Sequence, residues 1–366
     1  MAVPFNRLQS EAIDNYGTKD AFNGLARFCG LVWYLGQKGN IVFETGGQPD
    51  FRERLMYGPN TTIAFRASTG TVPMTDDDGF TLISVPQKTM TGAILYNQKE
   101  VDQVRGNSAL AKSLIEDKTR QFSTSWTEVV AQTLLQETPG ADDPYTLLGG
   151  SGVGNAILLP QAPASQTAVT GGIARSEVAT ITIGSTSVTR RFWANQYSNT
   201  SFDLTSVAGR RGLYLNVFSK CIRGNGAGWK PDFGLTSDVV EASLGSADDN
   251  LRRYGPDEKA MNIGFDTIKF HGATMFVDRS DRFLNGSAGK VAFLNSRALK
   301  LKVLNGTGGV TKDMVDEENN LKGLPLFWKH KNQSEWNTLR FNWLAYCTMG
   351  LVPLSLQDHG LADNCS

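Results

Sequence analysis

The sequence predicts an α+β fold in which one very long helix precedes a mixed region of helices and strands. Two patterns lead to this prediction. An apolar stripe at helical spacing runs between residues 107 and 137, and apolar and polar residues alternate near the C-terminus. The chain has 366 residues, which is enough for a large core and for two or more packed subdomains. The sequence shows no internal repeat and no strong linker.

The long helix is the clearest signal in the chain. Its stripe consists of residues that follow one another at steps of three or four: Ala111, Ile115, Lys118, Phe122, Trp126, Val129 and Thr133. Leu114, Val130 and Leu134 widen the stripe. Asn107 or Ser108 can cap the start of the helix, and Pro139 with Gly140 ends it. A helix of about 30 residues is about 45 Å long. A stripe of this length needs an equally long partner surface, most simply a sheet.

Residues 51–106 are predicted to form an extended hairpin before this helix. Ile63 to Arg66 has the composition of a strand, and Met90 to Val104 is the second strand candidate. The segment between them contains Asp76-Asp77-Asp78-Gly79, which is typical of a solvated loop tip. The hairpin has little apolar content of its own, so we expect it to be mobile or to lie on another molecule.

The rest of the chain alternates between irregular and regular segments. Residues 140–175 are rich in Gly, Pro, Ala and Ser, which predicts a long irregular excursion. Helical spacing is present in residues 204–222 and 237–244. Alternation predicts strands at residues 178–183, 263–270, 274–277, 299–303 and 339–348. In the strand at 299–303, Lys300 and Lys302 are predicted to lie on an exposed side.

The sequence contains no recognisable catalytic or metal-binding pattern. The three histidines, His271, His330 and His359, belong to no HExxH or Cys/His cluster. The four cysteines are widely spaced and contain no CxxC pair, so they are predicted to be free thiols, either buried or incidental. The glycine-rich run from Gly149 to Asn155 lacks the preceding apolar strand of a dinucleotide site, and Pro160 stops the apolar residues after it. We therefore expect no cofactor, no metal and no enzymatic activity.

Charge and hydropathy narrow the class of protein further. Lys+Arg and Asp+Glu number 36 each, so no overall basic excess drives nucleic-acid binding. No apolar stretch approaches the roughly 20 residues of a membrane span, and the first residues lack the pattern of a signal peptide. We expect a soluble protein that is made in a cytoplasm and has no membrane partner.

Four short motifs follow the long helix. They are Phe192-Trp193-Ala194-Asn195, the segment Trp229 to Thr236 with its Pro-Asp pair, Ile263 to Gly272, and Phe293 to Leu299. Taken with the long helix, the order and spacing of these motifs resemble the major capsid proteins of tailed bacteriophages, which have the Hong Kong 97-like fold. The resemblance covers most of residues 60–355.

The resemblance implies a division of the chain into five segments. They are an N-terminal arm (1–50), an E-loop hairpin (51–106), a spine helix of the peripheral domain (107–139), an axial domain (140–290) and a return to axial and peripheral strands (291–366). The implied function is self-assembly into the icosahedral head shell that encloses double-stranded phage DNA. The implied location is the virion, after assembly in the cytoplasm of a bacterial host.

The same resemblance implies the partners. Copies of the chain are expected to form the hexamers and pentamers of a shell, beside a portal protein and in nonspecific contact with the packaged DNA. The arm is too short to contain a scaffolding domain of its own, so a separate scaffolding protein is expected. Two alternatives stay open: an encapsulin-type nanocompartment shell protein, and an enzyme or binding module with many loops.

The hairpin is where contacts between subunits are expected, because it buries so little of itself. The candidate contact residues are Arg52, Arg54, Asp76, Asp77, Asp78, Phe80 and Lys88. Deleting residues 70–86 is expected to leave the fold intact and to impair assembly.

Overall fold

A computed structural model describes residues 29–45, 48–56, 80–97, 99–100, 103, 107–183, 186–222, 230–246, 267–277, 289–305, 327–330 and 340–366. The chain divides into two compact units. The first unit comprises Met1–Gln48, Gln87–Leu134 and Leu301–Gly350, and the second comprises Pro49–Pro86, Leu135–Lys300 and Leu351–Ser366. Each unit is therefore assembled from separate stretches of sequence. The five-segment division implied by the resemblance stays a prediction.

The helices and strands of the described residues are named here in chain order. They are α1 (Gly30–Gln37), β1 (Ile41–Thr45), β2 (Asp50–Met56), β3 (Phe80–Pro86), β4 (Lys88–Asn97), α2 (Ser108–Leu135), β5 (Thr146–Leu148), β6 (Ala156–Leu158), β7 (Val169–Thr170), β8 (Ile173–Ala174), β9 (Val178–Ile183), β10 (Thr186–Arg191), β11 (Gln196–Ser198), α3 (Val207–Asn216), β12 (Phe233–Thr236), α4 (Asp238–Ser246), β13 (Thr267–Phe270), β14 (Ala273–Val277), β15 (Gly289–Leu294), β16 (Leu299–Asn305), β17 (Phe327–His330), β18 (Arg340–Pro353) and β19 (Gly360–Cys365). Short 3-10 turns cover Pro163–Ser165, Phe218–Cys221 and Ser296–Ala298.

The first unit is built on a sheet in which β1, β16, β18 and β17 follow one another, with β4 also paired to β18. β1 runs parallel to β16, whereas β18 is antiparallel to both β4 and β17. The ladder between β4 and β18 extends from Lys88 opposite Met349 to Asn97 opposite Arg340. The long strand predicted near the C-terminus is thus confirmed.

The long helix is confirmed as α2. It has 28 residues, which corresponds to a length of about 42 Å. Asn107 caps it, because its side-chain oxygen accepts hydrogen bonds from the backbone N–H groups of Ala109 (3.1 Å) and Leu110 (3.3 Å). The fully buried apolar residues of the helix are Ala111, Ile115, Trp126, Val130, Ala131, Leu134 and Leu135. Val129 is exposed, so its place in the predicted stripe is wrong, whereas Val130 and Leu134, which are predicted to widen the stripe, are buried.

The partner surface of α2 includes β4. A β-carbon on Gly92 of β4 would lie only 2.8 Å from Phe122 and 3.0 Å from Trp126 of the helix. The ammonium group of Lys118 donates to the carbonyl oxygen of Leu95 at 3.1 Å, on the same strand. The sheet expected from the length of the stripe is therefore present, and a glycine allows two large aromatic side chains to reach it.

The pairing expected between the two hairpin strands stays a prediction, because only one of them is described. The candidate strand 90–104 is observed as β4, which ends at Asn97 and pairs with β18 near the C-terminus. β3 pairs instead with β2, antiparallel, from Asp50 opposite Pro86 to Met56 opposite Phe80. The other candidate strand, Ile63 to Arg66, lies outside the described residues. Alternation identifies a strand, but it does not identify the partner, which can come from any distance along the chain.

The second unit contains a sheet with the strand order β11, β19, β15, β12, β14, β13. α3 and α4 pack against one face of this sheet in a shared hydrophobic cluster. Phe218, just after α3, lies 5.2 Å from Phe293 of β15 between ring centroids. A β-carbon on Gly289 of the same strand would lie 2.9 Å from Val240 of α4. Gly289 and Phe293 are an even number of residues apart on β15, so the two helices cover the same face.

All four cysteines are free thiols, as predicted, and all four are buried. Burial raises the pKa of the Cys347 and Cys365 thiols to about 12 and also raises the pKa of Cys221. These three therefore stay protonated thiols at neutral pH, which makes them poor nucleophiles and poor metal ligands.

The lysines of β16 differ from their predicted exposed placement. Lys302 is buried and forms an ion pair with Glu44 of β1. Lys300, which is more exposed, pairs with Glu53 at 2.9 Å. Each lysine thus has a carboxylate beside it, and this satisfies a charge that would be costly to bury alone.

The contact at Gly92 gives a test of the first unit. We expect Gly92→Val to lower the free energy of unfolding by about 2 kcal/mol, because the new side chain must displace Phe122 or Trp126. Urea denaturation followed by tryptophan fluorescence measures the change. The matched control is Ala93→Val, since the neighbouring side chain is exposed on the opposite face of β4. Equal effects of the two substitutions would contradict the packing of Phe122 and Trp126 against Gly92.

Candidate functional site

The paired strands β2 and β3 form a ribbon with one buried face. Phe51, Leu55, Ile83 and Val85 are its buried apolar side chains. Gly171, whose φ of +63° favours glycine, lies directly beneath this face, because a β-carbon there would approach Ile83 to 2.5 Å. The ribbon is thus packed against the rest of the second unit, contrary to the expectation of a hairpin with little burial of its own.

Polar contacts also hold the ribbon in place. The backbone N–H of Ser84 donates to the carbonyl oxygen of Gly171 at 3.0 Å. The Ser84 hydroxyl donates to the Asp50 carboxylate at 2.8 Å, across the two strands. Glu53 pairs with Lys300. A deletion of residues 70–86 would remove β3 and its buried side chains, so the expectation that such a deletion leaves the fold intact is wrong.

The outer face of the ribbon is open to solvent. Phe80 is 58% exposed and Leu82 is 48% exposed. Leu82 lies opposite Arg54 in the ladder, and Arg52 is two residues away on the same exposed side. Exposed aromatic and aliphatic side chains beside arginines are typical of surfaces that become buried in protein contacts.

The structure brings together some of the predicted contact residues. Arg52, Arg54 and Phe80 share the ribbon of β2 and β3. Lys88 lies on β4, in the first unit, where it is half-buried opposite Met349. Asp76, Asp77 and Asp78 lie outside the described residues. Their role as intersubunit contacts stays a prediction for all seven.

Residues 140–175 are largely irregular, as their composition predicts, and only short strands and one 3-10 turn interrupt them. They contain two short ladders, β5 with β6 and β7 with β8, arranged around the fully buried guanidinium of Arg175. The Arg175 side chain donates to Thr170 (2.9 Å), to Gln166 (3.0 Å), and to the backbone carbonyls of Ala156 and Ile157. Because these acceptors come from separate turns, one side chain holds the segment together.

The Trp193-to-Asn195 motif completes the same cluster. The Asn195 side-chain oxygen accepts a hydrogen bond from Arg175 at 2.8 Å, and its amide donates to the carbonyl of Leu159 at 3.1 Å. The Trp193 indole N–H donates to the carbonyl of Thr170 at 2.8 Å. Burial lowers the pKa of Arg175 to about 9, so the group is still cationic at neutral pH. Sequence reasoning missed this cluster, because an isolated arginine in a polar segment carries no signal of burial.

The layer of α3 and α4 presents a second open surface. At its edge, the exposed His271 lies against Tyr214 in a tilted arrangement, with 4.2 Å between ring centroids. Partial burial lowers the pKa of His271. On the outer side of α3, Val207 is 71% exposed and Leu215 is 50% exposed. Val239 of α4 is also exposed.

No cluster of His, Cys, Asp and Glu suited to a metal ion occurs within the described ranges. Across the same part of the chain, every helix is too short or too polar to traverse a lipid bilayer. The candidate site comprises the exposed apolar and charged side chains of the ribbon and of the α3–α4 layer.

Comparisons with known proteins bear on the fold. No protein-family model and no curated protein sequence matches the chain. Among solved structures, the capsid asymmetric unit of cyanophage A-1(L) matches with a TM-score of 0.54 and 13% identity, over 96% of this chain and 94% of that chain. The chain has the phage capsid fold. The fold class predicted by resemblance, the Hong Kong 97-like fold, is thereby confirmed.

Two further capsid structures align with lower TM-scores. The capsid of an empty GTA particle matches with a TM-score of 0.48 and 10% identity, over 91% of this chain and 90% of that chain. The capsid of the Myoviridae phage XM1 matches with a TM-score of 0.45 and 16% identity, over 89% of this chain and 90% of that chain. The assignment of the phage capsid fold rests on the cyanophage subunit.

The Arg175 cluster gives a test of the second unit. We expect Arg175→Met to lower the free energy of unfolding by about 3 kcal/mol or more, because it leaves several buried acceptors without a donor. Arg175→Lys should recover only part of the loss, since an ammonium cannot reach all of these oxygens. Chemical denaturation measures both, and Arg54→Met, at an exposed position, should change stability by less than about 0.5 kcal/mol. If Arg175→Met had the same free energy of unfolding as the wild type, the hydrogen bonds of Arg175 would not hold this segment together.

Proposed function

We propose that this chain is the major capsid protein of a tailed bacteriophage and that it self-assembles into the icosahedral head shell around double-stranded DNA. The observation that carries the proposal is the match over 96% of the chain to a cyanophage capsid subunit. The long α2 packed on its sheet supplies a rigid element. The exposed faces of the ribbon and of the α3–α4 layer supply surfaces that other copies can cover.

The proposal includes the partners expected from the resemblance. Copies of the chain form hexamers and pentamers, since closed rings and shells arise when identical subunits repeat one contact. A scaffolding protein guides assembly, a portal protein occupies one vertex, and packaged DNA is contacted without sequence preference. The function needs no catalysis, and the absence of a metal cluster among the described residues is compatible with a structural role.

The assembly state tests the proposal. Purified protein, combined with its scaffolding protein, is expected to form uniform polyhedral shells in negative-stain electron microscopy. Particles isolated from the host should contain nuclease-protected double-stranded DNA. A compact monomer under all assembly conditions would overturn the proposal, and particles filled with a cargo enzyme in place of DNA would identify an encapsulin-type compartment instead.

The outer face of the β2–β3 ribbon is proposed to contact a neighbouring subunit. We expect the double substitution Arg54→Glu and Phe80→Ser to leave the unfolding midpoint of the unassembled chain unchanged, because both side chains are exposed. The yield of shells should fall at least about tenfold, since the substitutions remove apolar contact area and reverse a charge.

The matched control lies on the other face of the same ribbon. Ile83→Ser should lower the free energy of unfolding by about 3 kcal/mol, because Ile83 is completely buried. The two variants therefore separate loss of assembly from loss of fold. Normal shells from the Arg54→Glu and Phe80→Ser variant would show that this face is not an intersubunit contact.

A further inference from the structure

The outer face of α3 combines two apolar side chains with a cation. Val207, Arg211 and Leu215 are spaced four residues apart, so they lie in one row along the helix. All three are exposed. The opposite side of the helix is anchored by Leu213, which is buried in the cluster on the sheet. Within the described residues, Arg211 takes part in no ion pair.

The outer face of α4 has the same character with the opposite charge. Asp238, Val239 and Ala242 are exposed. The helix is anchored from its other side by Val240 and Leu244, which belong to the same cluster as Leu213. The carboxylate of Asp238 accepts a hydrogen bond from the backbone N–H of Val239 at 2.8 Å, and it forms no ion pair in the part of the chain that the structure describes.

The two faces complement each other but cannot meet within one subunit. The buried apolar residues of both helices face the same side of the sheet, so the exposed rows of both helices point away from the sheet. Each row presents aliphatic side chains and one charge that forms no ion pair with any described residue, positive on α3 and negative on α4. A second copy of the chain carries the partner surface that each row lacks, which is why a copy fits better than a foreign partner.

We propose that α3 of one subunit docks against α4 of the next, with Arg211 facing Asp238. This inference rests on the proposed shell function and specifies one contact within its rings. The two surfaces are different, so the contact is heterologous, and repeated heterologous contacts close into rings when the rotation between copies allows it. The aliphatic residues supply the buried area, and the charge pair selects the register and rejects like-charged alternatives.

Charge reversal tests this contact. Arg211→Glu places two acids against each other at every interface, and Asp238→Arg places two cations against each other. Each variant alone should raise the protein concentration needed for half-maximal assembly about tenfold or more, because like charges are then held together in a contact that excludes water. Both reversals in one chain should restore assembly. Native mass spectrometry of the rings and electron microscopy of the shells give the readout.

Mixing the two single variants in equal amounts distinguishes a ring from a dimer. When the variants alternate around a hexamer, the introduced glutamate meets the introduced arginine at one interface, and native Arg211 meets native Asp238 at the next. Hexamers should therefore recover. A pentamer has an odd number of subunits and cannot alternate, so it retains a like-charge interface and should stay scarce. Equal recovery of hexamers and pentamers would overturn the ring contact.

Conservative variants control for effects on the helices themselves. Arg211→Lys keeps the charge and should assemble normally. Asp238→Asn retains an oxygen for the Val239 N–H and removes the charge, so it should weaken assembly less than Asp238→Arg does. Unfolding midpoints of the unassembled variants should match that of the wild type.

The outcomes separate this contact from the proposed function. If the wild type forms shells and each single charge reversal assembles as well as the wild type, the α3–α4 contact is wrong and the capsid proposal stands. If Arg211→Glu assembles normally but its particles lose nuclease-protected DNA, the α3 face binds nucleic acid, which also overturns the contact. If the wild type never assembles, the proposed function fails together with the contact.

Discussion

The close approach of α2 to β4 is the constraint on which the first unit depends. Phe122 and Trp126 occupy the space that any side chain at position 92 would need. The strand that carries Gly92 is held in turn by ten paired positions along β18, a strand close to the other end of the chain. The helix, the strand before it and the C-terminal strand therefore form one packed element, although some two hundred residues of sequence separate its parts.

In the second unit, the packing of one long segment depends on the hydrogen bonds of the buried Arg175. The segment from 140 to 175 has a small apolar cluster of Ala156, Leu159 and Ala168, and Arg175 ties its strands and turns together through hydrogen bonds. Every such bond replaces water that burial removes, so the cluster is stable only when it is complete. Asn195 accepts one of these bonds from Arg175, and the Trp193 indole donates to the Thr170 carbonyl beside it, which gives a physical reason for the Trp193-to-Asn195 motif.

The proposed function depends on the surfaces that stay exposed after this packing. Phe80 and Leu82 on the ribbon and Val207 and Leu215 on α3 are exposed although most large apolar side chains among the described residues are buried. Each pair has an arginine beside it, so contact would combine apolar area with a charge that selects the partner. In the proposed shell, rigid units would present such surfaces at fixed positions, and repetition of the contacts would close the assembly.

Local patterns in the sequence determined which segments form regular structure. The spacing of Ile115, Trp126 and their neighbours specified α2 nearly to its ends, because helical periodicity depends only on residues three or four positions apart. The Asn107 cap and the strands at β9, β14 and β18 follow from equally local signals. The order and spacing of the motifs along the chain also indicated the capsid fold by resemblance.

The tertiary structure alone decided which segments pair and which side chains are buried. β4 and β18 alternate like many strands, and their pairing follows from long-range packing that periodicity does not encode. The burial of Arg175 and Lys302 could not be inferred, because each depends on acceptors or carboxylates from distant parts of the sequence. The sequence likewise does not show that the opposite charges of α3 and α4 lie on exposed faces, because this depends on both helices packing on the same sheet.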